Sequence, residues 1–78
     1  MSEATPSPGG QKALAIIRAS GHVIVDADLA VPELVSLAAA AAQWGASLTV
    51  RHAYLRSESD LSEIAAAGRG HVTFDLAE

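Results

Sequence analysis

A two-layer α/β fold, with three short parallel strands in a helix–strand repeat and the helices on one face, is what this sequence predicts. Three observations carry the prediction. The segments Gly21-His22-Val23-Ile24-Val25-Asp26, Gly45-Ala46-Ser47-Leu48-Thr49-Val50-Arg51 and Gly70-His71-Val72-Thr73-Phe74-Asp75 superimpose, with Val23, Leu48 and Val72 spaced 25 and 24 residues apart. That interval lies in the range of helix-plus-strand repeats. An apolar helical stretch ending near glycine precedes each segment, and strands that alternate with helices favour a parallel sheet with crossover connections. Within the segments, apolar and polar residues alternate with the period of two that separates the faces of a strand.

Residues 1–10, with Pro6, Pro8, Gly9 and Gly10, read as a disordered N-terminal tail, and residues 11–78 as a single small α/β domain. The first helix is expected from about Gln11 to Ala19, with Ala13, Leu14 and Ile17 on one stripe and Ser20-Gly21 as its stop. The second is expected over Pro32–Trp44. Proline suits its first turn, Glu33 suits its positive end, and Gly45 terminates it. The third is expected to start near Ser59 or Asp60, where Asp60 and Glu63 have capping-box spacing, and to end at Gly68 or Gly70. Leu61 and Ile64 there match Leu34 and Leu37. Between the helices lie Val23-Ile24-Val25, Leu48-Thr49-Val50 and Val72-Thr73-Phe74, short and rich in β-branched residues.

Aligning the strands collects Val23, Val25, Leu48, Val50, Val72 and Phe74 on one face, which the helices are expected to cover. The other face collects His22, Ile24 and Asp26, then Ser47, Thr49 and Arg51, then His71, Thr73 and Asp75. It is half polar and open, whereas parallel sheets normally have both faces buried. His22, Ile24, Asp26, Thr49, Arg51, His71, Thr73 and Asp75 are therefore the candidate partner-binding residues. With the strands in sequence order, Asp26, Arg51 and Asp75 form a row of alternating charge that supports pairing in register. The same row also reads as ordinary solvated surface, with an ion pair contributing at most about 1 kcal/mol.

Composition narrows the function. Alanine supplies 17 of the 78 residues and only Trp44, Tyr54 and Phe74 are aromatic, so the core is built of small side chains. A core of this size contributes about 3–5 kcal/mol. The chain has no cysteine, hence no disulfide or thiolate metal site, and association with a protein partner or a second copy remains as support. A net charge of −4 with five Lys and Arg argues against nucleic acid, which requires clustered cations. No apolar run reaches the roughly 20 residues that span a bilayer, and the first residues lack the pattern of a secretion signal. A cytoplasmic, bacterial-type protein is the expectation.

Chemistry is sparsely represented. His22 and His71 hold equivalent places, but in a sequence-ordered sheet Ser47 separates them by two strand spacings of roughly 4.8 Å, too wide to share an ion easily. His52 is expected to leave the sheet toward a loop. Asp26 and Asp28 sit at the carboxyl end of the first strand, where open α/β sheets bind ligands. Without a glycine-rich loop or a Ser or Cys nucleophile beside a histidine, the expectation is a non-enzymatic protein-interaction or self-assembly module with no metal or cofactor, a small metal-binding or enzymatic domain being an alternative. The run Ala38–Ala42 has high helix propensity and also permits close approach of backbones. Trp44 is expected to cap the core.

The period resembles leucine-rich and other α/β repeats, without the asparagine ladder of the former. The order of elements from His22 to Asp75 resembles the second half of a STAS domain, the anti-sigma-factor antagonist family. Val23-Ile24-Val25-Asp26, a helix, Gly45-Ala46-Ser47-Leu48-Thr49-Val50 and a final helix with a late glycine carry the likeness. It implies a switchable protein-binding regulator. The family's opening strand pair has no counterpart, and Ala27-Asp28-Leu29-Ala30-Val31-Pro32 replaces its Asp-Ser-Ser-Gly phosphorylation motif, so no phosphorylated residue is carried over.

Overall fold

The computed structural model describes residues 8–77. The elements alternate along the chain as α1 (Pro8–Arg18), β1 (His22–Asp26), α2 (Val31–Trp44), β2 (Ser47–Arg51), a 3₁₀ turn (Ala53–Leu55), α3 (Glu58–Gly68) and β3 (Val72–Phe74). The strands form one parallel sheet in the order β1-β2-β3, the α/β architecture expected. Val23, Leu48 and Val72 are register partners, so the sequence repeat is also a spatial one.

The face sorting holds. Val23, Leu48 and Val50 are buried beneath the helices, with Val25, Val72 and Phe74 partly buried around them. Helices supply Ala13 and Ile17, then Leu34, Leu37, Ala38 and Ala41, then Ile64, all buried. Ala38 and Ala41 face inward and Ala39 outward, as the 100° step per helical residue requires. No polar or charged residue is buried among the described residues.

Helix boundaries follow local chemistry. α1 begins at Pro8, not at Gln11, so three residues assigned to the tail are helical; proline is favoured in a first turn because its missing N–H would be unpaired there. Residues 1–7, the rest of that tail, lie outside the described residues. α2 ends at Gly45 in the left-handed conformation (φ 67°), with its N–H donating to the Ala41 carbonyl, the geometry for which glycine carries no Cβ penalty. α3 is capped by Ser57, not by Asp60: the Asp60 N–H donates to the Ser57 hydroxyl at 3.1 Å. Serine in the extended conformation before the first turn satisfies a donor that the helix cannot. Trp44 is 45% exposed and does not cap the core; its carbonyl accepts from the Ser20 hydroxyl at 2.8 Å, joining the ends of α2 and α1.

Candidate functional site

All three helices lie on one side of the sheet, and the opposite side carries the residues proposed for binding. On it His22, Ile24, Arg51, Thr73 and Asp75 are exposed, while Asp26, Ser47, Thr49 and His71 are half-buried. Ile24 is 66% exposed at the centre of β1, an apolar side chain in a polar setting. Ile24 and Thr49 are partners across β1–β2, and Thr49 and Thr73 across β2–β3. The structure thus lays Ile24, Thr49 and Thr73 in one row across the sheet.

A second row differs in its bonding from the simple charge alternation expected. Asp26 and Arg51 are in register, and the N–H of Asp75 donates to the Val50 carbonyl, so the row is assembled. Yet the partner of the Asp26 carboxylate is His52: Nδ1 lies 2.8 Å from Oδ2, with the side chains 40% and 43% exposed. A carboxylate only accepts, so Nδ1 carries the proton and Nε2 is turned away from this bond. Asp26 Oδ1 also accepts from the N–H of Asp28 at 3.1 Å, closing an Asx turn. The His52 hydrogen bond and then the Asp28 N–H hold the Asp26 carboxyl below the ordinary aspartate value; desolvation opposes them, and the fields of His52 and Arg51 add smaller lowering effects.

His52 reaches Asp26 because its backbone turns left-handed (φ 60°) directly after β2. Its ring meets that of Tyr54 edge to face, centroids 6.2 Å apart. Next to it, Arg56 Nε donates to the Ala27 carbonyl at 2.8 Å and its terminal nitrogen donates to the Leu29 carbonyl at 2.6 Å. One guanidinium therefore fastens the β1–α2 connection. The carboxyl end of the sheet is a hydrogen-bonded polar rim of Asp26, His52 and Arg56. Sequence reading places Asp26 there but misses the other two.

At the amino end of the sheet His71 Nδ1 donates to the Ala46 carbonyl at 2.9 Å. His22 and His71 flank Ser47 on opposite outer strands, so the sheet does not bring them together around one ion. Among the described residues no group of three or more His, Asp or Glu side chains is placed to hold a metal, and no helix is long and apolar enough to cross a membrane. No protein-family model, curated protein or solved structure matches this chain.

Proposed function

We propose that this chain is a non-enzymatic protein-interaction module that binds through the uncovered face of its sheet. One observation carries the reading: among the described residues three helices cover one face of a parallel sheet and none covers the other, where Ile24 stands 66% exposed. Parallel sheets ordinarily bury both faces, and an exposed apolar centre ringed by polar groups has the composition of a binding surface. His22, Asp26, Arg51, His71, Thr73 and Asp75 form the polar surround and Ile24 with Thr49 the centre. A partner protein in a bacterial-type cytoplasm, without nucleic acid or membrane, fits the acidic net charge of −4 and the scattered cations.

Photocrosslinking tests it. A benzophenone side chain placed at Thr49 or Thr73 is expected to yield the same discrete protein adduct in cells, whereas one at Ser62, exposed on α3, yields none. Adducts of equal yield from Ser62, or none from the sheet positions, would overturn the open-face reading.

A further inference from the structure

β1 lies at an edge of the sheet, and among the described residues no strand lies along one side of its backbone. Which groups it presents there follows from the ladder. The N–H of Ala27 donates to the Arg51 carbonyl and Asp26 is the register partner of Arg51, so Val23, Val25 and Ala27 direct their backbone groups toward β2. By the alternation of a strand, the N–H and C=O of His22, Ile24 and Asp26 point outward.

That edge has the pattern His-Val-Ile-Val-Asp, which is complementary to itself when reversed. Laid antiparallel on a copy with Ile24 opposite Ile24, it sets His22 opposite Asp26 at both ends and Val23 opposite Val25 between them. His22, Ile24 and Asp26 then occupy the hydrogen-bonded positions and exchange two backbone bonds at each pair, the Asp26 carbonyl using the lone pair left beside the Leu29 N–H that it already accepts at 3.3 Å. The imidazole of His22 donates to the facing carboxylate, which can accept around four hydrogen bonds and uses two of these sites within its own chain. Each Ile24 side chain, otherwise 66% exposed, is covered by its twin.

Two further features favour this occupant. Between His22 and Asp26 the edge has no proline or lysine, and its register with β2 is not interrupted by a bulge, so these blocks to strand addition are missing. Beside it runs a groove of about 430 Å³ lined by Gly9, Lys12 and Ile16 of α1 and by His22 to Val25 of β1, which leaves space along this edge for a paired strand. We infer that two copies of this chain associate about a twofold axis at Ile24, joining their sheets edge to edge through antiparallel β1 strands. The contact is isologous, as a twofold requires. It goes beyond the open-face reading, because a strand edge and not the sheet face makes the bond.

Sedimentation equilibrium of the full chain from about 1 µM to about 1 mM tests it, with circular dichroism as the check on folding. The expected result is a monomer–dimer equilibrium weakened at least about tenfold by Ile24→Lys, which places two cations at the axis and removes the apolar pair. Ile24→Pro removes an outward N–H together with the apolar side chain and is expected to do the same; should it fail to fold, Ile24→Lys and His22→Asp still decide. His22→Asp, which faces two carboxylates, weakens the dimer, and His22→Lys retains it. Thr73→Arg, two strands away on the open face, leaves it unchanged. A monomer throughout the series overturns the inference. A dimer indifferent to Ile24→Lys and His22→Asp overturns it equally. Crosslinking from Thr49 with a monomeric chain would sustain the open-face reading alone.

Discussion

The two faces of the sheet are built from the same strands yet obey different rules. On the covered face, Leu48 and Val50 are fully buried among alanines and the branched side chains of three helices; one residue away in sequence, Thr49 lies half-buried and Ile24, its register partner, mostly exposed. Stability is concentrated on the first face and recognition has room on the second. The separation follows from the two-residue period of a strand, which lets adjacent positions answer to unrelated demands.

The sharpest test of that division is a pair of truncations at neighbouring positions. Leu48→Ala is expected to destabilise the fold by about 2–5 kcal/mol, the cost of emptying a buried leucine site, enough to unfold much of so small a chain. Thr49→Ala is expected to stay within about 1 kcal/mol, the span of β-propensity on an exposed face. Urea denaturation of both variants checks this, and similar losses for the two would show that the faces are energetically alike.

How much of this was legible in the sequence depends on the range of the physics involved. Gly45 after an alanine-rich helix and Pro32 at its start act within a few residues, and α2 ends where they indicate, at Trp44. The face sorting also needed only local alternation, and Val23, Leu48 and Val50 are buried as it required. Ser57 and Asp60 are both residue types that cap helices well, and the choice of Ser57 depends on where the chain leaves the 3₁₀ turn. The pairing of His52 with Asp26 spans 26 residues and depends on a left-handed histidine, which no neighbouring residue announces. A clue did exist: once Asp26 is registered with Arg51, the next residue must emerge beside the end of β1. The size of Trp44 suggests burial, yet the inward positions of α2 are filled by Leu34, Leu37, Ala38 and Ala41, and Trp44 at the helix end stands 45% exposed.

That tight spacing gives a second, smaller test on the covered side. Gly68 ends α3 against the sheet, where an added Cβ would collide with the Val72 side chain and lie 3.4 Å from the Cβ of Ala38. Replacing glycine by alanine in a helix ordinarily gains up to about 1 kcal/mol. Here the overpacking at a β-branched neighbour outweighs that gain, and Gly68→Ala is expected to destabilise by about 1–2 kcal/mol net. Gly68→Ala combined with Val72→Ala should recover part of the loss in thermal melts. A stabilised Gly68→Ala protein would mean that α3 and β3 sit further apart.

The smallest effect belongs to the polar rim. Because the folded carboxyl of Asp26 is held below its ordinary value, chiefly by the His52 hydrogen bond, it binds protons less readily folded than unfolded. Its contribution to stability is therefore complete above the ordinary aspartate range and disappears as pH falls through the lowered folded value. With both side chains about two-fifths exposed, solvent screening keeps that contribution slight, so the titration itself is the better observable. In His52→Ala the Asp26 carboxyl ¹³C resonance should titrate at a higher pH than in the parent chain, still somewhat depressed by the Asp28 N–H. Asp28→Pro, which removes that donor and leaves His52 in place, should produce the lesser displacement. Coincident midpoints for the parent and His52→Ala would mean that the histidine does not hold this carboxylate in solution, and the rim would then be a loosely solvated edge like the rest of the open face.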